Sequence, residues 1–213
     1  MRRLPSLAVL LAAALRLSAA DVICRLVDPK GASVADAVVS LTRLDAAEPA
    51  AAPPGTTGEI VQQNREFVPY VTAIQVGTTM HFPNRDNVQH HVYSLSKAKK
   101  FELPLYSGEA QRVIVFDQPG VVTIGCNIHD WMIAYVVVLA TPHFAKTGAD
   151  GTATLAAPPG RYRLEIWQPR LAGPLVQEIA IAAGAPSTLA FTLTLKPDHR
   201  IRRRPDADDG GYR

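Results

Sequence analysis

Three side chains able to bind a soft metal ion lie within seven residues of one another: Cys126, His129 and Met132, in the stretch Gly125-Cys126-Asn127-Ile128-His129-Asp130-Trp131-Met132. The run Val121-Val122-Thr123-Ile124 precedes this stretch and Ile133-Ala134-Tyr135-Val136-Val137-Val138-Leu139 follows it. Both are rich in β-branched residues and read as strands. A tight loop between two strands holds a thiolate, an imidazole and a thioether over one point in space. Soft sulfur with imidazole is a donor set that suits copper, and two histidines, one cysteine and a weak methionine make an electron-transfer copper centre. The second imidazole has to come from another segment, and Gln89-His90-His91-Val92 offers one. Adjacent strand residues face opposite sides, so Val88, His90 and Val92 share one face and Gln89, His91 and Tyr93 the other. The first face is the more apolar, which selects His90 as the ligand and leaves His91 to a supporting contact or to solvent. Taken singly, Cys126 and Met132 have plain readings as core residues; the spacing of the set is what argues for a metal. His81, His143 and His199 have no partner at ligand spacing and read as surface or structural. Cys126 and His129 could also suggest a nucleophile pair, but no orienting third group accompanies them, and the chain is not read as an enzyme.

The elements that must position these residues are short strands. From Glu59 onward, Ile60–Gln63, Phe67–Pro69, Val71–Val76, Thr78–Phe82, Val88–Leu95, Arg112–Phe116 and the two strands flanking Cys126 follow one another, with turn-forming clusters between them. No segment sustains a 3.6-residue period, and strands at this spacing predict an all-β sandwich or barrel. Two strands come before, within Asp21–Val27 and Ala37–Thr42. Residues 46–55 are rich in Pro and Ala and read as a linker, unsuited to a central strand. After Thr141 further strands follow at Thr152–Leu155, Arg161–Trp167, Val176–Ile181 and Ser187–Leu195. The tail 197–213 carries Arg200-Ile201-Arg202-Arg203-Arg204 and then aspartates, and is predicted to be disordered.

Residues 1–20 read as a secretory signal: Arg2 and Arg3, an apolar core from Leu7 to Leu15, and Ser18-Ala19-Ala20 as the cleavage site. That core is too short to span a bilayer comfortably. The expected location is therefore periplasmic or otherwise exported, with no stable membrane span after cleavage. Cleavage removes three of the 22 basic residues and none of the 19 acidic ones, leaving a formally neutral protein. Net charge thus gives no case for nucleic-acid binding. Export makes a disulfide between the two cysteines, Cys24 and Cys126, the default. The metal reading of Cys126 argues against it, and Cys24 alternates with Val22 and Leu26 as a buried small residue.

From Glu59 to Ala140 the sequence resembles a cupredoxin, the blue-copper family of plastocyanin and amicyanin. The resemblance rests on Val76-Gly77-Thr78-Thr79-Met80-His81-Phe82 with Asn84, on Gln89-His90-His91-Val92, on Asp117-Gln118-Pro119-Gly120, and on the Cys126 stretch, whose short spacing is similar to amicyanin. It implies a Greek-key sandwich binding one copper ion (Cu+/Cu2+), with His90, Cys126 and His129 as equatorial ligands and Met132 as the axial one. It also implies one-electron transfer between redox protein partners that dock near His129 and Trp131. His91 departs from the family, which usually has Asn there; the backbone N–H at that position, which helps hold the sulfur, is unaffected. The outer segments resemble a carboxypeptidase-regulatory, transthyretin-like sandwich, a likeness carried by Val27-Asp28-Pro29-Lys30-Gly31, Ala37–Leu41 and Asp150–Leu164. The expected organisation is a signal at 1–20, a cupredoxin domain at 59–141 inserted into a second, smaller β-sandwich made of 21–46 and 142–196, and the tail 197–213. Two other functions fit the same residues: a copper-delivery accessory protein, and a metal-free interaction module.

Overall fold

The computed structural model describes residues 19–108, 113–184 and 186–198. Most of the expected signal, the tail from 199 onward and His199 lie outside the described residues. Among those described the chain is all β, without a helix. Its strands are β1 (Ala20–Val27), β2 (Val38–Arg43), β3 (Thr57–Glu59), β4 (Val61–Gln63), β5 (Glu66–Val68), β6 (Val71–Gln75), β7 (Thr79–His81), β8 (His90–Ser96) and β9 (Lys99–Tyr106). They continue with β10 (Ile114–Val115), β11 (Gly120–Gly125), β12 (Ile133–Leu139), β13 (His143–Lys146), β14 (Thr152–Ala157), β15 (Gly160–Trp167), β16 (Leu175–Ile181) and β17 (Ser187–Thr192).

Strict alternation in β1 buries Ala20, Val22, Cys24 and Leu26 and turns Asp21 and Arg25 outward. This strand lies between β14 and β17, antiparallel to the first and parallel to the second. A second sheet, in the order β13-β2-β15-β16, faces it. Val39, Leu41, Tyr162, Leu164 and Ile166 from that sheet meet the β1 residues in one apolar core. First and last strands of the described chain are therefore neighbours.

The remaining strands pair only among themselves. The sheet β6-β12-β11-β8-β9 and the small sheet β10-β7-β3, with the β4-β5 hairpin, enclose a second core built on Met80, Phe82, Phe116, Val122, Ile124 and Val136. Residues 46–55, expected as a linker, bond to both units: Glu48 pairs with His143 of β13, and the residues after it reach the second unit. The Ala52 N–H donates to the Val76 carbonyl at 2.7 Å, the Gln75 side chain donates to the Pro49 carbonyl, and β3 pairs with β7 at the sheet edge.

The uninterrupted run Val136-Val137-Val138 in β12 is buried on both faces of its sheet. Val136 and Val138 face the second core. Val137 points the other way, into a third cluster with Val38, Val71, Tyr70, Tyr135 and Trp167. Because Val38 and Trp167 belong to the first unit and the others to the second, this cluster seals one sandwich to the other.

Candidate metal centre

Cys126 directly follows β11, and the chain returns at Ile133 into β12. The loop between them is closed from within: the Met132 N–H donates to the His129 carbonyl at 2.9 Å, and the Cys126 N–H donates to the Met132 carbonyl at 3.3 Å. Gly125 sits opposite Tyr93 of β8, and a Cβ there would meet the tyrosine ring at 3.2 Å. The absent side chain lets β8 lie close beside β11, which brings His90 to the cysteine. Asn84 shapes the approach to β8. Its buried amide donates to the carbonyls of Val88 and Tyr106, and its oxygen accepts the Asp86 N–H.

The result is a convergence of three ligand atoms. His90 Nδ1 and His129 Nδ1 are 3.1 Å apart, Cys126 Sγ is 3.7 Å from His129 Nδ1, and the ligand atoms of all three residues lie within 4.8 Å of one another. His90 is fully buried, Cys126 is 4% exposed, and His129 reaches the surface. Met132 is 2% exposed and is tied to Cys126 through its backbone carbonyl. An open groove of about 530 Å3 passes Cys126 and Met132 on the Tyr93 side of the sheet.

Electrostatics favour the ionised sulfur. Burial pushes the Cys126 thiol up, but His90 and the backbone N–H groups of His91, Ile128 and His129 together outweigh it and hold the thiol below its ordinary value. Burial pushes the His90 imidazole down, and contacts with Cys126 and Asp86 more than reverse that, so it lies above the usual range. Both cysteines are free. They lie in different cores, which disposes of a disulfide between them.

Asp86 escaped the sequence. Asp86 accepts from His90 Nε2 at 2.7 Å and from the backbone N–H groups of Asn64 and Arg65. Its position four residues before His90 was the one available signal. Burial pushes the Asp86 carboxyl up, yet these three donors hold it below the usual carboxylate range. His91, for which solvent was one expectation, is 5% exposed and bonds Glu102 through Nε2. Burial of two successive histidines coincides with an irregularity in pairing: His90 faces Tyr106 while Val92 faces Leu103, so β9 carries one extra residue around Pro104, which has no N–H to pair. Trp131 is partly buried against the second core, donates Nε1–H to the Arg65 carbonyl at 3.1 Å, and lies with its ring 5.1 Å from that of His129. His81 is exposed, and His143 bonds the Ala156 carbonyl and Glu48, far from the centre.

Two imidazoles and a sulfur poised to ionise, with a buried thioether on the same loop, fit copper better than a hard, oxygen-preferring cation. Among the described residues no other group of three such donors assembles. No family model matches the sequence, and no curated protein does. Solved structures similar to part of the chain include a purple cupredoxin from Nitrosopumilus maritimus, at 27% identity over 38% of this chain and 97% of the other, with a TM-score of 0.34. A Cu-containing nitrite reductase from Thermus scotoductus SA-01 matches at 24% identity over 46% of this chain and 25% of its own, with a TM-score of 0.36. Amicyanin from Paracoccus versutus matches at 18% identity over 46% of this chain and 97% of its own, with a TM-score of 0.34.

Proposed function

We propose that this protein holds one copper ion between His90, Cys126, His129 and Met132, and that it passes single electrons between redox protein partners outside the cytoplasm. The observation that carries the reading is the convergence of His90 Nδ1, His129 Nδ1 and Cys126 Sγ within 4.8 Å, on a thiol held below its ordinary value. Copper bound there supplies a one-electron couple.

The chain's own contribution is to fix the donors before the ion arrives. Cys126 and His129 are held by a loop with internal hydrogen bonds, and His90 by β8 and by Asp86. Ligands fixed in this way move little between the two oxidation states. The backbone N–H groups of His91, Ile128 and His129 help hold the thiol below its ordinary value, which favours the thiolate form that binds a metal. His129 reaches the surface beside Ile128, which is 49% exposed, so the proposed partners approach the centre at that point. Residues 1–20 act as the export signal in this reading, and no bond in a substrate is made or broken.

The test is the visible spectrum of the copper-loaded protein. An intense thiolate-to-copper charge-transfer band is expected, with complete loss in Cys126→Ser. Absence of the band in the unmodified protein refutes the reading. Reversible voltammetry then separates electron transfer from metal delivery: a reversible couple with slowly released copper supports the first, and a labile ion without a couple supports the second.

A further inference from the structure

We infer that Asp86 is the positioning residue of the centre: its carboxylate fixes the tautomer and orientation of His90 and, as a fixed negative charge, lowers the copper potential. This rests on the copper reading above and extends it to a residue outside the ligand set.

Three observations carry it. The first is direct contact. Asp86 Oδ2 lies 2.7 Å from His90 Nε2, with 11% of the aspartate side chain and none of the histidine side chain exposed. An ionised carboxylate accepts only, so Nε2 bears the proton, and Nδ1, the atom directed at Cys126 and His129, is the ring nitrogen left to bind metal. A carboxylate hydrogen-bonded to the far nitrogen of a ligating histidine fixes its ring and raises its basicity.

Second, the carboxylate is itself held. Asn64 N–H donates to Oδ1 at 2.6 Å and Arg65 N–H to Oδ2 at 2.8 Å, while Asp86 N–H donates to Asn84 Oδ1 at 3.0 Å. With His90 these bonds fix both carboxylate oxygens and the loop beneath them.

The third is backbone conformation. Asn64 and Arg65 form the two-residue turn between β4 and β5 with φ of 56° and 55°. That pairing of signs belongs to the tight hairpin turn, but the left-handed region is uncommon for arginine. Two backbone N–H groups presented to one carboxylate are what this turn provides. The same Arg65 contributes its carbonyl to Trp131, which lies against His129. One hairpin turn thus braces both imidazoles, one through Asp86 and the other through Trp131.

A stronger donor nitrogen and a nearby negative charge both favour Cu(II) over Cu(I). Removal of the charge in Asp86→Asn should weaken Cu(II) binding by about 10–100-fold and Cu(I) binding less. A tenfold fall in the Cu(II)/Cu(I) affinity ratio corresponds to a rise of about 59 mV in midpoint potential. Asp86→Glu keeps the charge and should shift the potential by less than half as much.

The experiment uses the full chain, with voltammetry of the copper-loaded protein and its two variants beside nitrogen-15 NMR of the copper-free protein. In the copper-free protein a slowly exchanging His90 Nε2 proton is expected, exchanging at least tenfold faster in Asp86→Asn. An unchanged or lowered potential in Asp86→Asn, or equal shifts in the Asn and Glu variants, overturns the inference. So does an unprotected His90 Nε2 proton in the unmodified protein, a measurement that stands even where the Asn variant fails to fold. If the unmodified protein shows no charge-transfer band, the copper reading fails, while the exchange experiment still decides whether Asp86 positions His90.

Discussion

The two cysteines are placed in the two cores, and their surroundings give them opposite chemistry. Cys24, in the first core, has no exposed surface, and burial alone pushes its thiol up to about 11. Cys126, in the second core, is 4% exposed, and its thiol is nonetheless held below its ordinary value. Burial acts in the same direction on both. What differs is the presence of donors: an imidazole and three backbone N–H groups surround one sulfur, whereas aliphatic side chains surround the other. A buried cysteine becomes a candidate ligand through the polar groups aimed at it, not through its depth. The first core is accordingly a packing device, and the second packs around the cluster of His90, Cys126 and His129.

That contrast can be broken in order of size. Leu164 is fully buried in the first core. Leu164→Ala should cost about 2–5 kcal/mol in urea unfolding and leave the thiolate-to-copper band unchanged; loss of the band would show that the two cores do not act separately. Next comes alkaline stability. The unfolded Cys24 thiol ionises at its ordinary value of 9.0, while the folded one keeps its proton to about 11. Between these pH values the native state binds more protons than the unfolded state, so stability falls as pH rises. About two pH units correspond to roughly 2–3 kcal/mol. Urea titrations from pH 8 to 11 should show this slope, and Cys24→Ala should remove its thiol component. The smallest effect concerns the seal between sandwiches, where Tyr135 and Trp167 place their rings 5.5 Å apart. A double-mutant cycle to alanine should give a coupling of about 0.5–1.5 kcal/mol. Zero coupling would mean that the two units merely touch.

Much of this architecture was legible where a local rule and tertiary packing agree. The alternation Val22, Cys24, Leu26 marked β1 and its inward face, and β-branched runs marked β11 and β12. The spacing of Cys126, His129 and Met132, with His90 chosen by the apolar character of its face, pointed to residues of which three are now found converging. Elements in which local chemistry works against the strand were illegible. Strand β9 carries Pro104 and Lys99, Lys100 and Glu102, and forms only because it is an edge strand with an irregular register. The Pro- and Ala-rich segment lacks strand propensity yet is hydrogen-bonded at the end of β6, Pro49 to Gln75 and Ala52 to Val76. Two-face alternation also failed at His91, because a register shift on a neighbouring strand leaves no trace in the sequence of β8. Asp86 was hidden for another reason: two of its donors come from a hairpin more than twenty residues earlier.

The placement of β1 between β14 and β17 constrains how the molecule can be made. Val22 takes Leu155 and Ser187 as its neighbours, so β1 finds its sheet partners only in strands that come after β12. Every strand from β3 to β12 finds its partners within that same set. The loop carrying Cys126 and His129 can therefore reach its final surroundings while β1 is still unpaired, and closing the outer sandwich requires strands from both ends of the described chain.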